Sequence, residues 1–466
     1  MARGKKKETL TPEERLQAAL VPESEQPYKI PGNWCWTYIK SGFDVTSSKR
    51  VHKGDWLSQG IPFYRTRELV KLSENGCVDN ELFISEKLYN SFVEEYGVPQ
   101  EGDLLISGVG TIGVPYVINE NQKFYFKDGN IIWFKNRGLF HPKYVYFLYK
   151  SAFIDNQIHQ MSSGTTVDTY TIINANATVV PLPPFSEQQR IVDRIESLFA
   201  KLDEAKQKAQ ETLDSFETLK AAILHKAFTG ELTAQWRKEH GVGVESWKAL
   251  TLDDIAEYKK GPFGSSITKA MFVPKGDHTY KVYEQGNAIR KTVDYGHYYI
   301  SEQKYLELKN FAVRSDDIII SCAGTIGEVF KLPKDCESGI INQALMRVRI
   351  FPNIKEQYFI YYFGEILKGD VIDQANGTAI KNIPPFKIMK AMKIKLPSLP
   401  EQTEIVRILD DLLAKEQQAK EAAEGVLEQI DLIKKAILAR AFRSELGTND
   451  PSEESAVELL KTCYNS

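Results

Sequence analysis

The sequence predicts an α+β protein that is built twice, with two mixed α/β domains, each followed by a long helix, in an internal pseudo-two-fold repeat. Three pairs of segments support this prediction, and each recurs at an offset of 214 residues. The pairs are 219–232 with 433–446, Glu187-Gln188 with Glu401-Gln402, and 110–113 with 324–327. Because the residues between them differ widely, the repeat indicates a duplicated frame that holds two diverged inserts.

Long helices are predicted at 186–232 and 400–446. Apolar residues advance by alternating steps of four and three, from Ile191 to Ile223 and again from Ile405 to Ile437 with one break at Glu416, which is the pattern of a coiled-coil seam. A lone helix with this pattern would leave a long apolar stripe in water. We therefore expect the two helices to pack against each other, with closest approach at the small residues of the seams. These are Ala205 and Ala209 in the first helix, and Ala419 and Ala423 in the second.

The rest of the chain separates into two mixed domains and two ends. The first domain covers 28–185, and the second covers 233–399 with a short linker at 233–246. Short strands are predicted at 103–107, 114–117, 130–134, 317–321 and 344–350, and one helix is predicted at 141–155. The leader 1–27 contains a short helix capped by Thr11. The end of the chain, 447–466, is predicted to be a flexible tail with a short helix at 454–462.

Composition excludes several classes of protein. The chain has 466 residues, five widely spaced cysteines without a Cys-x-x-Cys pair, and no apolar run of 18 residues. These features argue against a disulfide framework, a zinc site and a membrane span, and they predict a cytoplasmic protein. The net charge of −3 is unusual for a protein that binds DNA alone. The second domain is more basic, since 247–395 contain 22 Lys and Arg against 17 Asp and Glu.

Motifs for catalysis are missing from the sequence. Residues 108–113 fit the dinucleotide pattern G-x-G-x-x-G, but a strand rather than a helix is predicted after them, and the second copy lacks the first glycine. The shared part, Gly-Thr-Ile-Gly, is better explained as a tight turn between two strands. Neither Pro183-Pro184-Phe185 nor Pro384-Pro385-Phe386 has the Asn directly before the prolines that an adenine methyltransferase needs. The chain is therefore interpreted as a recognition component without metal or cofactor rather than an enzyme.

The repeated motifs together resemble those of the specificity (S) subunit of type I restriction–modification enzymes. The resemblance rests on Pro-Leu-Pro-Pro-x-x-Glu-Gln-x-x-Ile-Val at 181–192 with its counterpart at 396–406, and on the helix endings at 222–232 and 436–446. Residues 261–266, Gly-Pro-Phe-Gly-Ser-Ser, also look like a family motif, whereas Ser41-Gly42-Phe43-Asp44 stands in its place in the first domain. The likeness covers about 28–446.

The resemblance implies two target-recognition domains that each read one half of an asymmetric, split site in double-stranded DNA. It implies that the long helices are an antiparallel spacer, along which two methyltransferase (modification) subunits dock. Restriction/translocase subunits would complete the complex. S-adenosylmethionine, ATP and Mg²⁺ are then expected on the partner subunits and none of them on this chain, which has no catalytic residues of its own.

Candidate DNA-binding residues are taken from polar loops and from residue types that can contact base edges. In the first domain they are Arg65, Arg67, Lys71, Ser107, Thr111, Ser163, Thr165 and Thr166. In the second they are Lys259, Lys260, Ser265, Ser266, Lys269, Gln285, Asn287, Arg290, Lys291, Thr325, Thr378 and Lys381. Two alternatives are a coiled-coil adaptor between proteins without a DNA role, and a fused methyltransferase–specificity enzyme.

Overall fold

The computed structural model describes residues 11–119, 122–162, 168–367 and 385–465. The chain divides into two compact units. The first unit comprises the residues up to Ala209 and those from Gly425 onward, and the second is Gln210–Glu424. The division passes through both long helices, so each unit contains one mixed domain and a segment of each helix.

The described residues of the first mixed domain form nine strands. They are β1 (Cys35–Tyr38), β2 (Phe43–Thr46), β3 (Ile61–Tyr64), β4 (Phe83–Ile84), β5 (Leu104–Ser107), β6 (Pro115–Val117), β7 (Tyr125–Phe126), β8 (Ile131–Asn136) and β9 (Val179–Leu182). Its helices are Pro12–Ala19, Thr66–Asn75, Glu86–Tyr96, Pro142–Tyr149, Ala152–Ser162 and Ile172–Ala177. The first long helix follows at Phe185–Thr229.

The second mixed domain repeats most of this order. Its strands are β10 (Lys248–Thr251), β11 (Ala256–Lys260), β12 (Thr279–Tyr283), β13 (Tyr299–Ser301), β14 (Ala312–Val313), β15 (Ile318–Ser321), β16 (Val329–Lys331), β17 (Gly339–Ile341), β18 (Leu345–Ile350) and β19 (Lys393–Leu396). Its helices are Ala234–Glu239, Gln285–Arg290, Glu302–Glu307, Glu356–Tyr361 and Phe386–Lys390, with a π-helical stretch at Tyr362–Leu367. The second long helix is Leu399–Ala441, and a last helix covers Ala456–Asn465.

The two domains share one sheet topology. Strands in the order β2-β8-β5-β6 form an antiparallel sheet in the first domain, and β11-β18-β15-β16 form its counterpart. The pairs β1-β9 and β10-β19 also correspond, as do the mixed sheets β4-β3-β7 and β13-β12-β17, the latter extended by β14. The predicted fold class, two mixed domains in an internal repeat with two long helices, is confirmed.

Each domain packs its antiparallel sheet against its own segments of the long helices. In the first unit, Ile106 and Phe134 of the sheet belong to one buried cluster with Ile191 and Ile195 of the first long helix and Leu438 of the second. In the second unit, the corresponding cluster joins sheet residues such as Ile320 to Leu224 and Ile405. Burial of these apolar surfaces fixes each helix segment to its sheet.

The Glu-Gln pair at the start of each long helix is buried and ties the helix to the domain. Trp34 Nε1 donates to Glu187 Oε2 at 2.7 Å, and Trp247 Nε1 donates to Glu401 Oε2 at 2.9 Å. The neighbouring glutamine accepts from the backbone N–H of the residue 47 positions earlier, at 2.7 Å in the first unit and 2.6 Å in the second. The repeated motif is thus a structural joint.

In the first unit the segments of the two long helices pair in antiparallel sense, since Leu438 shares a buried cluster with Ile191 and Ile195 while Lys434 contacts residues further along the first helix. In the first unit, Lys434 Nζ lies 2.5 Å from Asp203 Oδ1 and 5.0 Å from the ring centroid of Phe199. Near the end of each helix the buried positions differ from the predicted seam. Leu219 and Ile433 of the seams are exposed, whereas Leu224 and Leu438 are buried. An α-helix drifts by about 20° per heptad relative to a strict seven-residue repeat. Four heptads separate Leu219 from Ile191, so the buried face moves away from it.

Two predictions about smaller elements are wrong. The helix expected at 141–155 is two helices, separated at Lys150-Ser151, where Ser151 Oγ donates to Leu148 O. The tail is packed rather than free, since Ala456 and Leu460 are fully buried in the first core. The tail occupies the place that the linker has in the second unit: Thr448 Oγ1 contacts Glu187 at 3.3 Å, as Thr233 Oγ1 contacts Glu401 at 2.8 Å.

The buried carboxylate of Glu401 is balanced by Arg237, whose Nη1 lies 2.6 Å from Glu401 Oε1. Arg237→Met is expected to destabilise the second unit by about 3–5 kcal/mol, because the carboxylate stays buried without its cation. Thermal unfolding of the full chain would measure this as a lower transition temperature. Arg407→Met is the control, because Arg407 forms an exposed pair with Glu404 on the same helix. Equal melting of the two variants would contradict this account of the joint.

Candidate nucleic-acid interface

The Gly-Thr-Ile-Gly segments form tight turns between adjacent strands. Ser107, the last residue of β5, donates from Oγ to Thr111 O and accepts from Val114 N at 2.8 Å. In the second domain Ser321 Oγ accepts from Glu328 N at 3.0 Å. The final glycines have φ of +79° and +81°, a left-handed backbone that glycine adopts without a steric penalty. The predicted interpretation as a turn rather than a cofactor loop agrees with this geometry.

A helix start lies against the turn in both domains. A Cβ atom on Gly110 would come within 3.9 Å of Thr66 Cγ2, at the first residue of the helix that follows β3. A Cβ atom on Gly324 would come within 3.8 Å of Gln285 Nε2, at the first residue of the helix that follows β12. The structure therefore brings together the turn and the Arg65 region in one domain, and the turn and Gln285 in the other.

Two arginines at the first helix start are held by carboxylates. Arg65 Nη2 lies 2.8 Å from Glu68 Oε1, and Arg67 Nη2 lies 3.0 Å from the same oxygen and 2.6 Å from Glu81 Oε2. Burial opposes ionisation of Glu68, but hydrogen bonds from Arg65 and Arg67 lower its pKa to about 2. The guanidinium groups are thus fixed in place, with Arg67 the more exposed of the two.

The other described candidates differ in their exposure. Lys71 and Thr111 are exposed in the first domain. In the second domain the exposed candidates are Lys260, Ser265, Lys269, Arg290, Lys291 and Thr325, and the half-buried ones are Lys259, Ser266 and Gln285. Lys291 Nζ is paired with Glu328 Oε2 at 3.0 Å, beside the turn. Lys260 is the last residue of β11 and pairs with Met346 of β18, which also pairs with Ile320 near the end of β15, so Lys260 lies at the end of the sheet from which this turn begins.

Two candidates are directed into the protein, contrary to expectation. Ser107 is fully buried, and its hydroxyl is used inside the turn. Asn287 is also buried, and its amide donates to the carbonyls of Thr292 and Tyr295 at 3.0 Å, which holds the loop after its helix. Five further candidates lie outside the described residues. They are Ser163, Thr165, Thr166, Thr378 and Lys381.

The expected correspondence between residues 41–44 and the loop 261–266 is wrong. Phe43 is buried at the start of β2, and β2 corresponds to β11, which precedes the loop. The matching stretch in the first domain is therefore 47–52. The loop itself carries Phe263, whose side chain is exposed. Sequence reasoning missed Phe263 because candidates were chosen for hydrogen bonding, although its position between glycines in a lysine-rich segment was a usable signal.

No described helix is long and apolar enough to cross a membrane. Among the side chains that the structure places, no group of three or more His, Cys, Asp or Glu residues is arranged to hold a metal ion.

Comparison with known proteins gives matches along both copies. The family model "Type I restriction modification DNA specificity domain" matches residues 39–213 and 244–425. The type I restriction enzyme EcoBI specificity subunit of Escherichia coli is 24% identical over 431 residues, covering 88% of this chain and 84% of that protein. A putative MjaX specificity subunit of Methanocaldococcus jannaschii is 24% identical over 418 residues, covering 86% and 92%.

A solved structure supports the fold. The crystal structure of the HsdS subunit from Thermoanaerobacter tengcongensis aligns with a TM-score of 0.62 at 19% identity, covering 91% of this chain and all of that one. The two family-model matches together span most of the chain. The protein therefore belongs to the specificity subunits of type I restriction–modification systems.

The Glu68 network should make the first domain sensitive to acid. In the unfolded chain a glutamate has a pKa of about 4.3, so ionised Glu68 stabilises the fold above that pH, and this contribution is lost as the pH falls toward 2. Glu68→Gln should lower the melting temperature at pH 7, and the difference from wild type should shrink between pH 5 and pH 3. The exposed Glu94→Gln is the control. A difference that stays constant with pH would refute the assignment.

Proposed function

We propose that this chain is the non-catalytic subunit that selects the DNA sequence for a type I restriction–modification complex. Each target-recognition domain binds one half of an asymmetric split site in double-stranded DNA. The observation that carries the proposal is the contrast between the copies. The strand order, the turn and the buried joint are repeated, whereas the side chains around the turn differ, with Arg65 and Arg67 in one domain and Lys260 and Gln285 in the other.

Several exposed cations favour DNA as the ligand. Lys71, Lys260, Lys269 and Arg290 are exposed and form no ion pair with any residue in the described ranges. Such groups can contact phosphates, while arginine, asparagine and glutamine can contact base edges. The net charge of −3 fits a subunit whose partners contribute part of the phosphate contacts.

The repeated frame also favours docking of two identical partners. Leu219 and Ile433 occupy matching positions and are 47% and 43% exposed. Phe185 and Leu399 form a second matched pair, 43% and 45% exposed. Apolar surface that recurs in both copies suits two copies of one protein, which we take to be the methyltransferase subunit. Restriction/translocase subunits complete the complex, in the cytoplasm, and S-adenosylmethionine, ATP and Mg²⁺ are bound by the partners.

Domain exchange tests the assignment of DNA recognition. Residues 28–180 would be replaced by the matching domain of another specificity subunit, and the methylated sites would be read by methylation-sensitive sequencing of a strain that carries the complete system. We expect one half of the site to change and the other to stay, because each insert contacts its own half. Change of both halves would contradict the modular arrangement, and absence of any methylated split motif in an active wild-type system would contradict the proposed function.

Charge substitution tests the docking surface. Leu219→Asp and Ile433→Asp should each reduce the number of bound methyltransferase subunits from two to one, because a carboxylate in an apolar interface is costly to desolvate. The measurement is the mass of the co-purified complex. Leu57→Asp is the control, since Leu57 is an exposed apolar residue of the first mixed domain that belongs to neither long helix. If the variant that carries both Leu219→Asp and Ile433→Asp still bound two methyltransferase subunits, the docking surface would lie elsewhere.

A further inference from the structure

Phe263 is an aromatic side chain held out in solvent. It is 87% exposed, more than any other large apolar residue that the structure places. Full burial of such a side chain is worth about 2–3 kcal/mol, so its exposure forgoes a substantial stabilisation. The next residue, Gly264, has no atom within 4 Å of where a Cβ would lie, so the tip of the loop is open to a large ligand.

The loop that carries Phe263 is anchored at both ends. Gly261 N donates to Leu345 O at 2.9 Å, and a Cβ on Gly261 would lie 1.8 Å from Asn342 O, so no larger residue fits there. Pro262 is buried, and on the far side Ile267 is buried in the cluster that includes Val282. Ser266 N closes the loop by donating to Phe263 O at 2.8 Å. Phe263 is therefore presented by a fixed backbone, which reduces the entropy lost on binding.

The surroundings of Phe263 favour a polyanion. Between Glu257 and Asp277 the chain contains four lysines and no acidic residue. Lys260 and Lys269 are exposed and have no acidic partner in the described part of the chain. Lys260 also lies at the end of the sheet from which the turn after β15 begins, and Thr325 of that turn is exposed. An exposed aromatic ring next to unpaired lysines is an arrangement that stacks on bases while the cations contact phosphates.

The first domain has no equivalent of this side chain. The stretch that corresponds to the loop, 47–52, contains no Phe, Tyr or Trp, and its Arg50 is paired with Asp128 at 3.0 Å. Any contribution of Phe263 therefore concerns one half-site alone.

We propose that Phe263 is a wedge that stacks on a base at one step of the DNA half-site bound by the second domain, and so contributes to specificity there through the deformability of that step. The proposal rests on the proposed function. Insertion of an apolar side chain unstacks a base step, and flexible pyrimidine–purine steps unstack most easily. Phe263 thus contributes to sequence selection without forming a hydrogen bond to a base.

The test uses the chain co-purified with its methyltransferase subunits and a duplex that carries the methylated motif of the wild-type system. Phe263→Ala should weaken specific binding about tenfold, the loss that one aromatic–base contact typically carries. Phe263→Trp should retain most of the affinity. Because no charge is removed, the salt dependence of binding should not change. With 2-aminopurine in the half-site, the wild type should raise fluorescence at one step other than the methylated adenine, and Phe263→Ala should not.

Phe351→Ala is the matched control. Phe351 is an exposed phenylalanine of the same domain, and it lies at the opposite end of the β11–β18 pair, where its N–H donates to Ile255 O. The Phe351→Ala variant should bind the duplex with the affinity of the wild type. Wild-type affinity of Phe263→Ala would overturn the wedge, and failure of Phe263→Ala to assemble with the methyltransferase would show a protein-docking role instead. If the wild-type complex itself did not bind the duplex, the proposed function would fail, and not the wedge alone.

Discussion

The buried carboxylate at the start of each long helix is the interaction on which the architecture depends. Glu187 and Glu401 are almost fully buried, and each accepts from the indole of a tryptophan just before the first strand of its domain. A buried carboxylate destabilises the fold unless its oxygens accept hydrogen bonds or pair with a cation. The donors come from the strand pair and from the segment after the other long helix, so these parts and the helix must meet in one arrangement. Burial raises the pKa of Glu187, while the bonds from Trp34 and Thr448 oppose that shift.

The same joint explains how one frame can hold two unlike inserts. The tryptophan, the glutamate and the threonine of the joint recur in both units, but the ion pair beside them differs, since Arg237 faces Glu401 in the second unit, whereas in the first Arg190 forms a pair with Glu453 of the tail. The helix endings behave alike: Gly230 and Ser444 both have positive φ, although only one is glycine. A joint that tolerates such exchanges leaves the loops around the turns free to diverge.

The candidate DNA surface was only partly accessible from sequence. From residue type alone the sequence predicted that arginines, lysines and a glutamine near the turns bind DNA, but it did not indicate which of these side chains are exposed to solvent. Ser107 and Asn287 instead form hydrogen bonds with nearby backbone groups. Buried backbone N–H and C=O groups in tight turns and at helix ends require such partners. Arg67 is also held by Glu81, a partner that no local sequence pattern links to it. Phe263 became evident through its exposure, a property that depends on the folded loop.

The sequence by itself determined the duplication, the two long helices, the turn character of Gly-Thr-Ile-Gly and the family, because these follow from periodicity and from residues that recur at a constant spacing. Tertiary structure decided which positions near the end of each helix are buried, since the core of a mixed domain covers Leu224 and Leu438 and leaves Leu219 and Ile433 exposed. It also decided that the tail completes the first unit, as contacts such as Arg190 with Glu453 join residues far apart in the chain. Long-range burial and charge pairing have no local signal in the sequence, and here they determine which side chains remain exposed.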